Sequence, residues 1–384
     1  MSKTKPSFDF SLKPSEAIEY LKNKGYKLTF DYDEMMHEAH HKAFTVAKVT
    51  RLDLLHDIYS SIDKALGSGQ TFASWKKELE PTLVKKGWIG KKEIVNPKTG
   101  EVKTITVDGH RLKNIFKTNI RVARSVGRYK QQRTGKLTEY WRYIGGLSEN
   151  PRDGHLAKNG MVLHRDDPWW STNYPPNGWG CKCRVRAYSK KQLDKRGWSV
   201  AKSGGDNIAQ KEWAYDIGEG SKVAKLSKID LNSSLAKLPK ASKNNDYAKL
   251  SDAELLATFY KKMGLKKGEM FVDKVGDPML IDDSLFTSHT GHSKITKKDR
   301  HLLIDEMIPT IKDPDEIYLE WDEKASRLVK KMFRYITLNG KKKAVMAIFE
   351  YLKDKTQGVS LYLLESEKVV DNKRFEKLIY KKED

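Results

Sequence analysis

Cysteine is almost missing from this sequence: Cys181 and Cys183 are the only two among 384 residues. No disulfide framework can be built from them. Stability must come from buried apolar cores, which 38% hydrophobic residues can supply. A run of 18 apolar residues is also missing, which excludes a transmembrane helix. The opening MSKTKPSFDFSLKP has no apolar segment of the kind a secretory signal needs, so synthesis in a reducing cytoplasm is expected. Nor is there a nucleophile elbow or a phosphate loop.

What the chain has in excess is positive charge, a net +22. The excess is uneven. Ser251–Asp384 holds 26 basic and 24 acidic residues, so the first 250 residues carry +20. Such a surface calls for an anionic neighbour, whether DNA, RNA or an acidic protein ring. A lysine-rich solvated surface is the alternative. The length suggests at least two domains. Residues 221–250 are rich in Lys, Ser and Asn with few large apolar side chains, and read as a linker between 1–220 and 251–384.

Both cysteines fall in a long loop, RDGHLAKNGMVLHRDDPWWSTNYPPNGWGCKCRVR, residues 152–186. Its prolines and glycines argue against a helix or a regular strand. Such a loop orders only when something pins it, and two readings stay open. In one, Cys181 and Cys183 hold a structural Zn²⁺ with His155 and His164, or with Asp153. In the other, aromatics such as Trp169, Trp170 and Trp179 pack around two buried thiols. Cys-x-Cys is tighter than the usual zinc knuckle and suits a metal only if the segment is extended.

Ahead of the loop, hydrophobic periodicity predicts helices at 14–25, 31–66, 72–83 and 111–132, with a hairpin arm over 89–107 and a strand at 137–144. His37 and His41 in the second helix are four apart, with Glu38 after His37 in the H-E-x-x-H spacing, but a packed or surface role is expected. The helix at 111–132 is amphipathic. Its polar face carries Arg111, Lys113, Lys117, Arg121, Arg124, Arg128 and Lys130, suited to nucleic acid or to an acidic partner.

Several of these runs carry a resemblance. R-D-x-H, a glycine five residues on, and P-P-N-G-W-G-C-K-C-R-V resemble the signature of Mu-type F head morphogenesis proteins, which are minor capsid proteins of tailed phages. P-S-E-A-I-E-Y-L-K-N-K, H-E-A-H-H-K-A-F-T-V-A-K, G-x-T-F-A-S-W-K-K-E-L, R-L-K-N-I-F-K-T-N-I-R and E-W-A-Y-D-I-G extend the match over about residues 8–220. Lys182 departs from the family's more usual Arg and keeps the charge. The resemblance implies a place in the virion, at the phage head, and in the host cytoplasm during assembly or after injection. It implies portal and capsid proteins and viral DNA as partners, and no membrane.

The C-terminal region reads as a helix at 253–263, short strands near 270–272 and 279–281, a helix capped by Thr296 and ended by Pro309 and Pro314, then four strands joined by short turns. Helices followed by an antiparallel meander make the fold class α+β. The chain as a whole reads as a mainly helical first domain with small β elements, then this α+β domain. The chemistry candidates are His289, His292, Lys294 and Arg300 before and on the second helix, Arg334 in the second strand and Ser360 in the last. Two histidines with a cation supply a base, an acid and phosphorane stabilisation, which is what metal-free RNA cleavage requires. A solvated loop is the alternative. The run G-H-x-K-I-T-x-x-D-R, then P-D-E-I and a late strand serine, is similar to phage-borne barnase–EndoU–colicin–RelE-like nuclease domains over about residues 265–380. That implies catalysis at these six residues with no cofactor, host RNA (tRNA included) as substrate, and an immunity protein as a partner. A purely structural minor head protein with a non-catalytic C-terminal binding domain is the competing reading.

Overall fold

The computed structural model describes residues 14–35, 39–97, 99–146, 148–222, 226–230, 238–288, 290–323, 327–352, 356–374 and 376–383. Three helices and a small sheet frame the first half. The helix Leu52–Ser68 buries Leu52, Leu55, Ile58, Ile62 and Leu66, a 3.6-residue stripe, and stops at Gly69, whose φ of 69° needs no Cβ. The helix Phe72–Lys85 is capped by Thr71, whose hydroxyl accepts the Ser74 amide at 3.3 Å. The basic helix is longer than its apolar pattern, Gly109–Thr134, because the Asp108 carboxylate accepts the Arg111 amide at 2.8 Å and starts it early. Leu112, Phe116, Ile120, Ala123 and Val126 form its buried side. The hairpin arm pairs Gly90–Val95 with Val102–Val107 in antiparallel register.

The helix expected over 31–66 does not exist as one piece. His37 lies outside the described residues. Ala43–Phe44 is extended and pairs in parallel with Gly25–Tyr26, and Lys48 takes a φ of 65°. The run Thr45-Val46-Ala47-Lys48-Val49-Thr50 is rich in β-branched residues, which favour extended backbone. His41 is packed, with Nδ1 3.0 Å from the Tyr20 hydroxyl and Nε2 3.0 Å from the Asp216 carbonyl.

The second half is built on an antiparallel sheet. Its strand order is Thr356–Leu364, Lys341–Tyr351, Arg327–Leu338, Glu316–Asp322 and Lys377–Lys381, with Lys240–Ala241 added in parallel beside Thr337 and Leu338. Six strands thus stand where four are expected. The two extra ones are short and fill the places left where Glu316–Asp322 would otherwise be an edge and where it ends. Residues 221–250, expected as a linker, include segments that fold against this sheet. Ile229 and Leu238 pack on one face, and Tyr247 is buried with its hydroxyl donating to Asp305 at 3.0 Å.

Two further expectations change. Thr296 does not cap a regular helix, because Lys298 and Asp299 adopt left-handed backbone and a short 3₁₀ segment follows. The regular helix is Ile304–Lys312, and Pro309 sits inside it rather than ending it. That helix and Asp252–Met263 cover one face of the sheet, with Met332, Ile336, Val345, Ala347 and Leu361. Tyr318, Phe333, Tyr335, Met346 and Leu364 form a second cluster on the other face. No helix among the described residues is long and apolar enough to cross a membrane.

The halves interlock. Leu28 donates its amide to the Val275 carbonyl at 2.7 Å, and Arg51 donates to the Leu352 carbonyl at 2.9 Å. Gly25 lies so close to the Ile379 carbonyl that no Cβ fits between them. The centre of this joint is Lys330, whose side chain is 0% exposed. Its ammonium bonds Asp273 at 2.9 Å and also Asp277. Asp277 further accepts the Tyr351 hydroxyl at 2.6 Å and the Leu52 amide at 3.3 Å. Burial pushes the Asp277 carboxyl up, the Lys330 charge opposing it. Burial works against the Lys330 ammonium too, but the two aspartates outweigh it. Replacing Lys330 by Met should therefore strand two buried carboxylates and cost ~3–5 kcal/mol. Chemical denaturation of the full chain checks this, and a loss under ~1 kcal/mol would mean the pair is not held as described.

Candidate metal centre and candidate active site

The signature loop is ordered by its aromatics. Trp169 and Trp170 meet edge to face at 5.1 Å between centroids, Trp141 and Tyr174 at 5.3 Å, and Tyr143 and Trp169 at 5.8 Å. Trp141 and Tyr143 belong to the strand Tyr140–Ile144, which pairs with Val162–His164 on one side and Arg184–Tyr188 on the other. Buried Asn173 accepts the Ile208 amide at 2.8 Å, and buried Asn177 donates to the Asn173 carbonyl at 2.9 Å. Loop backbone is thus satisfied by side chains instead of a ladder.

Inside this packing, three donors converge. His155 sits in the short helix Asp153–Ala157 and donates Nε2–H to the Ile208 carbonyl at 3.2 Å. That contact leaves Nδ1 as the bare nitrogen. Nδ1 lies 3.7 Å from the Cys181 sulfur and 3.6 Å from the Cys183 sulfur. All three ligand atoms fall within 4.8 Å of one another. Both thiols face one nitrogen, just ahead of the strand Arg184–Tyr188, despite the tight Cys-x-Cys spacing. Both cysteines are free thiols. A hydrogen bond from Cys183 brings Cys181 down to about 4, and the same bond, with burial, pushes Cys183 up. His164 is not brought to this cluster. It is exposed, 3.3 Å from Asp166, with its ring against Tyr140. Asp153 is not among the converging groups either.

Cys183 also lines a groove of about 350 Å³ on the basic helix, shared with Lys117, Arg121, Arg124, Lys182 and Arg184. Burial lowers the Arg121 guanidinium, and the two sulfurs beside it act in the opposite sense. A larger cavity of about 580 Å³ lies elsewhere, between Lys24, Tyr32, Arg111 and Trp213. Lys24 there is brought down to about 7 by burial, with its ammonium 4.6 Å above the Tyr20 ring.

In the C-terminal half, His289 lies outside the described residues. His292 is exposed, its Nδ1 2.9 Å from the Thr290 hydroxyl. Lys294 reaches the edge strand and donates to the Val359 carbonyl at 2.9 Å, next to Ser360. Burial lowers the Lys294 ammonium, helped by nearby Arg300 and Lys297. The Arg300 guanidinium lies over the Tyr362 ring at 5.4 Å, with Nε and Nη1 buried and without a hydrogen-bond partner among the described residues. Ser360 pairs with Ile348 and Tyr362 with Met346, so both share the second face of the sheet. Arg334 is different. It pairs with Val345, three residues from Ile348 and therefore on the opposite face, and it faces Glu306 of the covering helix at 3.5 Å. The structure gathers Lys294, Arg300, Ser360 and Tyr362 at one edge and leaves Arg334 behind the sheet.

Residues 56–186 match the family described as Phage Mu protein F like protein, and residues 254–381 match phage-Barnase-EndoU-ColicinE5/D-RelE like nuclease2. The chain joins a Mu F-like region to a nuclease-family domain. It is 40% identical over 192 residues to the putative capsid assembly protein F of Escherichia phage Mu, covering 50% of this chain and 44% of that protein. It is 36% identical over 180 residues to the Mu-like prophage FluMu F protein of Haemophilus influenzae, covering 47% of this chain and 42% of that protein. The chain thus spans less than half the length of these curated relatives. No solved structure matches it.

The Mu F-like match ends at Arg186, so it includes the three converging donors and the groove. The nuclease-family match includes the edge cluster and Arg334. Tyr362 was not singled out in the sequence, although its position two residues beyond Ser360 gives the same face in any strand. Gly145 also emerges only in three dimensions. A Cβ there would fall inside the carbonyl oxygen of His155. Gly145→Ala should push the short helix of His155 away from the thiols and cost ~1–3 kcal/mol as an overpacked site. A thermal shift assay reads this, and an unchanged melting temperature would contradict the close approach.

Proposed function

We propose that this chain is a phage head protein whose C-terminal domain is a metal-independent endoribonuclease. The carrying observation is the succession of a Mu F-like region and a nuclease-family domain in one chain. The edge cluster supports the chemistry. His289 and His292 are the acid–base candidates, and Lys294 and Arg300 are cations that can meet charge developing on a phosphorane. A base takes the proton of the 2′-hydroxyl, the 2′-oxygen bonds to phosphorus, and the bond to the 5′-oxygen breaks. The acid returns a proton to that oxygen, leaving a 2′,3′-cyclic phosphate and a 5′-hydroxyl end. Ser360 and Tyr362 line the edge where the scissile group would lie, and Arg334 belongs to the support of the other face.

The assay uses the full chain, because Asp277 and Ile379 of the second half are packed against the first. Total RNA and tRNA in EDTA should be cut to cyclic phosphate ends, and DNA spared for lack of the nucleophile. His292→Ala and Lys294→Ala should each lower the rate roughly 10²-fold, the usual worth of a positioned acid–base or charge-stabilising group. Arg334→Ala should stay close to wild type. Full activity in both edge variants would sink the assignment.

The near-neutral balance of residues 251–384 favours a second reading, a structural minor head protein with a C-terminal binding domain. Intact RNA with the protein still in particles would select it. Both readings place portal and capsid proteins and viral DNA among the partners, and the nuclease reading adds an immunity protein. Mass spectrometry of purified phage heads should detect the chain, and its absence would exclude both.

A further inference from the structure

We propose that His155, Cys181 and Cys183 bind one Zn²⁺, which ties the loop carrying Lys182 and Arg184 to the short helix of His155 and so fixes one wall of the basic groove. The inference does not depend on the nuclease reading. It rests first on distance. Tetrahedral zinc with ordinary Zn–S and Zn–N bonds separates sulfur from nitrogen by about 3.6 Å. The structure gives 3.7 and 3.6 Å from Nδ1 to the two sulfurs.

The second support is orientation. His155 spends its Nε2–H on the Ile208 carbonyl, the outer bond that metal-binding histidines usually make, and it points the bare nitrogen at both sulfurs. Nδ1 has one lone pair, so hydrogen bonding can seat only one of the two thiols on it and leaves the other to its neighbouring sulfur. Zinc satisfies all three atoms at once. Thiolate and imidazole together suit Zn²⁺ by softness and geometry. Two thiolates balance the ion's charge, and their protons leave to solvent on binding.

Among the described residues no fourth His, Cys, Asp or Glu joins the cluster, which leaves one coordination position for a further ligand. Cys183 is at once a ligand and a wall of the groove, with Lys182 and Arg184 on either side of it in the chain. Losing the metal would free that wall. The opposite wall, Lys117, Arg121 and Arg124, is held by the basic helix and stays. Phosphate backbone spanning the two walls would then lose its fixed register of cations.

The test takes the full chain expressed with zinc in the medium. Elemental analysis should find about one zinc per chain, and Cys181→Ser or His155→Ala should lose it. Because these variants can also unfold, wild-type protein stripped by chelator is titrated with Co²⁺. A thiolate-to-cobalt charge-transfer band should saturate at one equivalent. A random-sequence DNA duplex should bind more weakly after stripping and regain affinity when zinc is returned. Protein that contains no zinc, develops no cobalt band and keeps its melting temperature would overturn the metal site. Duplex binding that ignores stripping would overturn its link to the groove.

Discussion

Asp277 holds the two halves of this protein to each other. Its carboxylate takes a bond from a lysine in the centre of the nuclease-family sheet, one from Tyr351, and one from the first amide of a helix in the other half. A carboxylate buried this deeply survives only because each of its oxygens has a donor. The helix Leu52–Ser68 contributes a buried amide of its first turn, which has no partner within the helix itself. The sheet contributes the ammonium. Neither half completes the network alone, so two regions recognisable as separate families are physically one body along this joint.

Elements with local signals were legible in the sequence. The helices Phe72–Lys85 and Asp252–Met263 follow their caps and stripes, and the hairpin and the main strands follow alternation and turn residues. What failed was decided at a distance. Ala43–Phe44 looks helical by composition, but Gly25–Tyr26 offers it a strand partner. Pro309 looks like a terminator, but the packed helix carries it through. The short strands Lys240–Ala241 and Lys377–Lys381 have little pattern of their own and exist because the sheet has room for them.

The candidate sites divide in the same way. His155, Cys181 and Cys183 could be grouped from residue type alone, since soft ligands are scarce in this chain, whereas excluding His164 needed the loop's path. Lys294, Arg300 and Ser360 share an edge, but Arg334 does not. The difference is one of parity along Lys341–Tyr351, where Arg334 stands beside Val345 and Ser360 beside Ile348, three residues away in unbroken pairing. That register is set by the pairing of the strands and cannot be read from either strand alone. Arg374 completes the second face by holding Glu316 through two nitrogens at 2.9 Å while a third bond, at 2.7 Å, fixes the Ile229 carbonyl.

The bond from Lys294 to the Val359 carbonyl has a colloidal side as well. Thr356–Leu364 is the outer strand of the sheet, and an outer strand offers its backbone to any other extended chain. Lys294 occupies one of those carbonyls with a charge, and the nearby bulge bends the strand away from flat pairing. The side chain we propose for the chemistry of the edge therefore also keeps that edge from recruiting its neighbours.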